Sequence, residues 1–270
     1  MTDWRFGRCH TVSVREVVTP SANLAWAEAW QRSWDRLEEL YVPERERQIS
    51  ALVDTVEAVC PAAPTVIDLG CGPGTVTRRL LERVPSARSV AVDIDPALLT
   101  IASATFGDDK RVQIVPADLR DPEWTRCLPE PEADAVLTAT ALHWLPEEAV
   151  ASLYRDIAGL VRAGGVLAHA ELMPLEELPR LGPALTNLRR SQAPAPEDRR
   201  AWDGWWDEVA RDPVLADAAL QRRALFGGNY PTQEFSPPAE WHVSALTDAG
   251  FAEVSVTWRS GNGAVVAGLR

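Results

Sequence analysis

The stretch Val66-Ile-Asp-Leu-Gly-Cys-Gly-Pro-Gly-Thr75 decides the fold of this chain. An apolar run that ends at Leu69 predicts a short buried strand, and the glycines that follow predict a tight turn. From Val76 to Val84 the apolar residues recur at helical spacing. Strand, glycine turn and helix form the first half of a βαβ unit. In open α/β sheets the ligand binds at the carboxyl ends of such strands.

The spacing of the glycines bears on which ligand the turn takes. The dinucleotide fingerprint G-x-G-x-x-G would place its third glycine at position 75, where this chain has threonine. The glycines fall instead at positions 70, 72 and 74. An NAD-dependent dehydrogenase is therefore the less favoured alternative.

The rest of the chain continues the alternation of strands and helices. Further strands are predicted at 89–92, 111–115, 133–138 and 166–172, and a terminal hairpin at 252–258 and 264–269. This order predicts an α/β protein with a doubly wound, mostly parallel sheet. The second strand ends at Asp93, 19 positions after Gly74. A carboxylate there can accept hydrogen bonds from ribose hydroxyls, whereas Asp95, before Pro96, fits a helix N-cap.

The segment Asp68-Leu-Gly-Cys-Gly-Pro-Gly74 resembles motif I of the class I S-adenosylmethionine-dependent methyltransferases, and the resemblance covers roughly residues 45 to 172. It implies a Rossmann-like sheet of seven strands whose last strand inserts antiparallel. It also implies S-adenosyl-L-methionine as the cofactor.

The resemblance assigns cofactor contacts to several residues. Asp68 would orient the turn and the amino group of the methionine part, Asp93 would hold both ribose hydroxyls, and Asp118 would accept from the adenine amino group. Asp118 could instead be an exposed loop acid. The complete set of implied cofactor-binding residues is Asp68, Gly70, Gly72, Gly74, Asp93, Ile94, Asp118, Leu119 and Thr138.

The loop after the fourth strand, Ala139-Thr-Ala-Leu-His-Trp144, is predicted to face the reacting centre. His143 is the candidate general base, because an imidazole titrates near neutral pH. The alternative is that His143 has only a structural role. Glu171, at the end of the fifth strand, is a second candidate catalytic residue, as a base or as a group that orients the acceptor. His169 is read as a buried core residue.

Tryptophans mark two helical regions outside the predicted sheet. One is an N-terminal helix with Trp26 and Trp30, which is either a core-facing stripe or a lid over the acceptor. The other is a block at 174–235, read as an inserted cap or as a peripheral helical layer. Indole faces bury planar groups, which favours an apolar or aromatic acceptor. The candidate substrate-binding residues are Trp26, Trp30, Trp144, Trp205 and Tyr230.

These elements divide the chain into four parts. We expect an arm and lid helix at 1–42, a cofactor-binding core at 43–173, the cap at 174–235, and a last helix and hairpin at 236–270 that complete the core.

Composition narrows the function further. The formal net charge of −12 disfavours nucleic-acid partners. The absence of a long apolar run predicts a soluble, cytoplasmic protein without membrane association. No metal is expected, because ligand spacings such as H-x-x-x-H or C-x-x-C do not occur. The sequence leaves the oligomeric state open.

We therefore expect a methyltransferase that acts on an O, N or C nucleophile of a small molecule. No Asn-Pro-Pro-Tyr-type motif follows the fourth strand, which disfavours methylation of DNA bases or glutamine amides. The alternative is a protein of the same fold that binds the cofactor without transferring its methyl group.

Overall fold

The computed structural model describes residues 23–130, 132–175, 178–192, 200–227 and 234–270. The strands in this part of the chain are β1 (Thr65–Leu69), β2 (Arg88–Asp93), β3 (Val112–Pro116), β4 (Ala133–Ala139), β5 (Val161–Leu172), β6 (Glu253–Ser260) and β7 (Gly263–Leu269). The helices are α1 (Leu24–Tyr41), α2 (Arg45–Val59), α3 (Thr75–Arg83), α4 (Pro96–Phe106), α5 (Glu147–Leu160), α6 (Leu181–Gln192), α7 (Arg200–Arg211), α8 (Ala216–Phe226) and α9 (Ala239–Asp248).

The strands form one sheet in the order β3-β2-β1-β4-β5-β7-β6. The first five strands pair in parallel, and β7 lies antiparallel between β5 and β6. The predicted fold class is thus confirmed, including the antiparallel insertion of the last strand. The order reverses beside β1, and such a switch point is where ligands bind in open α/β sheets.

Both faces of the sheet are covered, as its apolar strands require. Helices α2 and α3 pack on one face around Leu52, Val66 and Leu80. On the opposite face α5 and α9 pack around Ile67, Tyr154 and Phe251. A third apolar cluster joins α1, α4, α7 and α8. In the described residues no helix is long and apolar enough to cross a bilayer.

The buried face of α1 differs from the predicted tryptophan stripe. Asn23 caps the helix by accepting the Trp26 amide at 2.9 Å, and the side chains buried along it include Ala27, Gln31, Trp34 and Glu38. Trp26 and Trp30 are only half-buried. Polar Gln31 and Glu38 therefore lie on the inner face, where apolar periodicity alone does not reveal them.

Candidate active site

The glycine turn after β1 is held in a conformation that side chains disfavour. Gly70 and Gly74 have φ of 67° and 88°. A Cβ on Gly70 would lie 2.2 Å from the Ala141 Cβ, and a Cβ on Gly74 would lie 2.4 Å from the Phe106 ring. Gly72 is different, because a Cβ added there would have its nearest neighbours 3.9 Å away. Packing therefore requires Gly70 and Gly74, whereas Gly72 is favoured by its own φ of 54° and has its neighbours at van der Waals distance.

The backbone amides of the turn are already used within the protein. Those of Gly70 and Cys71 donate to the Val92 carbonyl, that of Gly74 donates to the Cys71 carbonyl, and that of Gly72 donates to the Asp93 carboxylate at 2.8 Å. A pyrophosphate site needs free amides and a positive potential at the helix N-terminus. Here the amide of Thr77, in the first turn of α3, donates to the buried Asp68 carboxylate at 3.0 Å. The turn is therefore poorly suited to a dinucleotide phosphate.

Asp93 lies at the carboxyl end of β2 beside the glycine turn. Its Oδ1 accepts the amides of Ile94 and Asp95 at 2.7 and 2.8 Å, and its Oδ2 accepts that of Gly72. Burial raises the pKa of Asp93, and these three amides oppose that rise. The side chain is therefore oriented before any ligand arrives. Asp95 caps α4 through the amides of Ala97 and Leu98, as expected from the sequence.

Asp118 and Leu119 follow β3 at the same edge of the sheet. The Asp118 carboxylate pairs with the Arg120 side chain, with Nη2 at 2.7 Å, and accepts the Arg120 amide at 2.9 Å. Leu119 is half-buried against the core below α5. The structure thus places Asp118 two residues after β3, the strand next to that of Asp93, and its carboxylate already pairs with Arg120. Its proposed contact with adenine remains a prediction.

Three buried polar atoms near the turn have no hydrogen-bond partner among the described residues: Gln31 Oε1, Asp68 Oδ1 and Thr138 Oγ1. Gln31 reaches the turn through its amide nitrogen, which donates to the Pro73 carbonyl at 2.9 Å. Burial raises the pKa of Asp68 to about 6 despite the bonds from Thr77. Because buried polar groups are normally paired, these atoms fit a polar ligand group such as an amino acid moiety.

His143 and Glu171 form a direct pair. His143 lies in the short 3₁₀ turn after β4, and Glu171 lies near the end of the neighbouring strand β5. The His143 Nδ1 is 2.9 Å from Glu171 Oε2, and Glu171 Oε1 accepts the Leu172 amide at 2.9 Å. The Glu171 side chain is almost fully buried, whereas His143 retains 15% exposure.

The two groups shift each other's pKa. Burial alone would lower the pKa of His143, but the Glu171 charge and hydrogen bond raise it above its ordinary value. Burial alone would raise the pKa of Glu171, yet His143, assisted by His169, brings it far below its usual range. Glu171 is therefore a carboxylate near neutral pH. It fixes the imidazole orientation and leaves Nε2 as the nitrogen available to an acceptor.

Glu38, Arg45 and Thr140 complete the surroundings of this pair and were not identified from the sequence. Glu38, on α1, is buried and lies 3.8 Å from the Arg45 guanidinium and 3.5 Å from the Thr140 hydroxyl. Burial raises the pKa of Glu38, and Arg45 opposes the rise. Thr140 has a φ of 49°, which is an outlier for a β-branched residue. Strained backbone is concentrated at functional sites. The signal that could have found Glu38 is its spacing of two helical turns from Gln31, which puts both polar side chains on one face of α1.

The tryptophans of α1 and α7 contact one another through their edges and N–H groups. The indole N–H groups of Trp26 and Trp30 both donate to Asp212 Oδ2, at 2.9 and 3.1 Å, and that of Trp205 donates to the Ser33 hydroxyl at 2.9 Å. The Trp34 ring lies 5.1 Å from the Trp205 ring. These contacts join α1 to α7 and α8. A substrate contact by Trp26, Trp30 or Trp205 would have to use the remaining ring faces.

The other aromatic candidates are placed differently. Trp144 is half-buried, with its ring centroid 4.7 Å from that of His143, so it lies beside the candidate base. Tyr230 lies outside the described residues. Among the described residues, no group of three or more His, Cys, Asp and Glu side chains is arranged to hold a metal ion.

The strand register explains why residues far apart in sequence converge. Leu69 of β1 pairs with Val92 of β2 and with Thr138 of β4, so Gly70 and Asp93 follow at the same edge. Ala139 of β4 pairs with Ala170 of β5, which places His143 and Glu171 beside them. The structure thus brings together the glycine turn, Asp93, Thr138 and the His143–Glu171 pair.

The strand order and the antiparallel β7 define a Rossmann-like α/β fold, and solved methyltransferase structures have the same fold. The family described as a methyltransferase domain matches residues 66–165. This match covers 100 of the 270 residues, and over them the chain is similar to that methyltransferase domain.

Two curated relatives are trans-aconitate 2-methyltransferases. The one from Azoarcus sp. strain BH72 is 34% identical over 63% of this chain and 65% of its own length. The one from Mycolicibacterium gilvum is 38% identical over 47% of this chain and 45% of its own length. The chain therefore spans less than two thirds of the length of these relatives.

Solved structures resemble this chain in fold. An O-methyltransferase family 2 protein from Planctomyces limnophilus, in complex with apigenin, has a TM-score of 0.56 at 17% identity, covering 95% of this chain and 64% of the other. Human N-acetylserotonin methyltransferase, in complex with SAM, has a TM-score of 0.53 at 17% identity, covering 93% and 60%.

Proposed function

We propose that this protein transfers a methyl group from S-adenosyl-L-methionine to an O, N or C nucleophile of a small molecule. The observation that carries the proposal is the His143–Glu171 pair, 2.9 Å apart, at the same sheet edge as the glycine turn and Asp93. The family and its named relatives support the same reaction class.

We infer the cofactor contacts from the family resemblance, and the site geometry is compatible with them. Asp93 would accept the ribose hydroxyls, Gly72 would allow close approach of the backbone, and Asp118 would meet the adenine. Gln31, Asp68 and Thr138 would satisfy their unpaired oxygens on the methionine part. When bound, the cofactor supplies an electrophilic methyl group together with its leaving group.

The residues of this chain then have two tasks. They position the acceptor and exclude water, since alignment of reactants contributes much of the acceleration. His143 also removes a proton from a hydroxyl or amine acceptor through Nε2, while Glu171 stabilises the imidazolium that forms. Because Glu171 raises the pKa of His143, the rate should increase as pH rises through that raised value.

The charges around His143 favour a neutral or cationic acceptor. Glu38, Glu171 and Glu234 all act on the imidazole electrostatically, and Arg45 is the basic side chain paired with Glu38. An anionic acceptor would approach carboxylates in a site of low dielectric, which is unfavourable. A neutral phenol, alcohol or amine, with its apolar part against Trp144, fits these groups better.

A carboxylate acceptor is the second candidate, because the curated relatives are named for trans-aconitate. The two candidates differ in their need for a base. A carboxylate is already a nucleophile at neutral pH, whereas a hydroxyl or ammonium group must lose a proton. The contribution of His143 to turnover therefore separates the candidates.

The test combines binding, product analysis and one substitution. Calorimetry should detect binding of S-adenosylmethionine to the protein, and NAD, as the negative control, should not bind. Methyl transfer is then measured as S-adenosylhomocysteine formed with trans-aconitate and with neutral phenols and amines. In His143→Asn the amide can still donate to Glu171 but cannot take up a proton. We expect turnover of a hydroxyl or amine acceptor to fall by roughly 10²–10⁴-fold, with cofactor affinity within about twofold of wild type.

Several outcomes would contradict this proposal. Tight cofactor binding without any S-adenosylhomocysteine would favour the non-transferring alternative. Transfer to trans-aconitate alone, unaffected by His143→Asn, would favour the carboxylate acceptor and remove His143 from proton transfer.

A further inference from the structure

A second polar cluster lies behind the His143–Glu171 pair, inside the apolar core. It consists of Tyr154 on α5, His169 on β5 and His242 on α9, and is called the buried triad below. The Tyr154 hydroxyl is 2.7 Å from Nδ1 of His169 and 2.7 Å from Nδ1 of His242. The three side chains are 0%, 0% and 2% exposed. Such a group in an apolar core calls for an explanation, since burying polar groups is unfavourable.

The tyrosine hydroxyl can donate to only one of its two neighbours. It has one proton, so it donates to one Nδ1 and accepts from an N–H on the other. Burial lowers the pKa of His242 to about 3, so that ring is neutral. With one proton on the tyrosine and a neutral His242 ring, the triad has two possible hydrogen-bond directions.

The contacts at the two ends of the triad distinguish these directions. His169 Nε2 is 3.9 Å from Glu171 Oε2, and His242 Nε2 is buried without a hydrogen-bond partner in the described part of the chain. If Tyr154 donated to His242, an unpaired N–H would be buried at His242, and a lone pair of His169 would face the Glu171 carboxylate. If His242 donates to Tyr154 and Tyr154 donates to His169, an N–H of His169 faces the carboxylate. His169 Nε2 also has no hydrogen-bond partner among the described residues, so each direction buries one unpaired N–H. The second direction places that N–H where the Glu171 charge attracts it, and it turns no lone pair toward the carboxylate.

We propose that the buried triad is a positioning device for the catalytic pair, which presents the Nε2–H of His169 to Glu171 and so orients Glu171 toward His143. The role in catalysis rests on the proposed function of His143. The 3.9 Å separation is longer than a hydrogen bond, so the effect is an attraction between a dipole and a charge. Tyr154, His169 and His242 do not touch the substrate in this proposal.

The consequence is a defined change in two titrations. The positive end of the His169 dipole lies near Glu171 and, farther off, near His143, so it lowers the pKa of both groups. Removing it should raise both values. The other charged groups that face the pair are Glu38 of α1, Arg45 of α2 and Glu234 before α9. They remain in place in every variant below.

The direct test is the tautomer of each ring, measured by ¹⁵N NMR on the full chain. We expect the proton on Nε2 of His169 and on Nδ1 of His242. The opposite assignment, with the His242 proton on Nε2, would overturn the proposal. This measurement needs no substrate, so it can fail or succeed independently of methyl transfer.

The functional test uses His169→Leu and Tyr154→Phe. In each we expect the NMR-measured pKa of Glu171 and of His143 to rise by roughly half a unit to one unit, a threefold to tenfold change in each equilibrium. The pH at which kcat/KM falls on the acidic side should rise together with the pKa of His143. His169→Gln, whose amide can place an N–H near the position of Nε2, should keep both values close to wild type.

Two further results would overturn the proposal. One is unchanged titration of both groups in His169→Leu. The other is a higher pKa of Glu171 together with a lower pKa of His143, which would mean that the variant merely separates the pair. Trp124→Phe is the matched control, because the Trp124 indole N–H also bonds to α5, at Asp156 at 3.1 Å, and Trp124 belongs neither to the triad nor to the pair. It should shift neither titration.

Discussion

Asp93 organises the backbone at the end of β2 and in the glycine turn. Three backbone amides, from Gly72, Ile94 and Asp95, converge on its carboxylate within 2.7–2.8 Å. These bonds hold the glycine turn against the end of β2. In the proposed function, the same side chain also accepts the two ribose hydroxyls.

We predict that Asp93→Asn weakens S-adenosylmethionine binding by about 10-fold to 100-fold. A hydrogen bond to a charged group contributes about 1.5–3 kcal/mol, and the amide loses one accepting atom. Titration calorimetry measures the effect. Asp109→Asn is the matched control, because Asp109 also accepts a loop amide, that of Arg111, but lies before β3 at the opposite sheet edge. Equal affinities of wild type and Asp93→Asn would contradict the ribose assignment.

At the scale of elements, α1 is joined to the helical layer by one carboxylate. Asp212, between α7 and α8, accepts both indole N–H groups of Trp26 and Trp30 through Oδ2. Its Oδ1 accepts the amides of Val214 and Leu215 at the start of α8. The same carboxylate thus fixes the turn between two helices and docks a third onto them.

We predict that Asp212→Ala loosens α1 without disrupting the sheet. Two indole N–H groups and two amides lose a charged acceptor, so the free energy of unfolding should fall by about 2–3 kcal/mol. Hydrogen–deuterium exchange should show lost protection in 24–41 and 200–226, and unchanged protection in β1 and β4. Asp207→Ala, on the exposed side of α7, is the control and should leave both regions protected. Loss of protection across the whole chain would contradict this local role.

At the scale of the whole molecule, a buried ion pair joins helix α8 of the helical layer to the start of α4, which packs beside the sheet. Arg222 of α8 lies 2.6 Å from Asp95, the N-cap of α4, and its guanidinium carbon is 3.4 Å from the centre of the Trp206 ring. Burial raises the pKa of Asp95 to about 6, and Arg222 opposes that rise. Because Asp95 is two positions from Asp93, the Arg222–Asp95 ion pair lies beside the candidate active site.

We predict that Arg222→Met destabilises the protein in a pH-dependent way. Without its partner, Asp95 has a still higher folded-state pKa. Ionisation of Asp95 therefore opposes folding from its unfolded pKa near 4 upward, and the additional cost of the variant over wild type appears above about pH 6. The loss should be about 3–5 kcal/mol at pH 8 and much smaller at pH 5, as measured by denaturant unfolding. Arg223→Met, at the neighbouring exposed position, should have little effect at either pH. A loss independent of pH would mean that packing on Trp206 dominates.

The sequence by itself determined the sheet, and it predicts the edge of the sheet at which a ligand binds. Apolar runs, the glycines from 70 to 74 and acids at strand ends are local patterns, because strand burial, tight turns and strand-terminal carboxylates each need particular residue types. These patterns predict the mostly parallel sheet, and the resemblance to class I methyltransferases implies the antiparallel insertion of β7. They also selected Asp93, His143 and Glu171 as candidates before any distance was known.

Only the tertiary structure decided which side chains meet. Glu38 acts on His143 from α1 and meets Thr140, just after β4, at 3.5 Å, and Asp212 meets Trp26 across 186 positions of chain. The triad of Tyr154, His169 and His242 joins α5, β5 and α9, and no periodicity along the chain predicts such a contact. Pattern depends on neighbours in sequence, whereas the pairing of buried polar groups depends on neighbours in space.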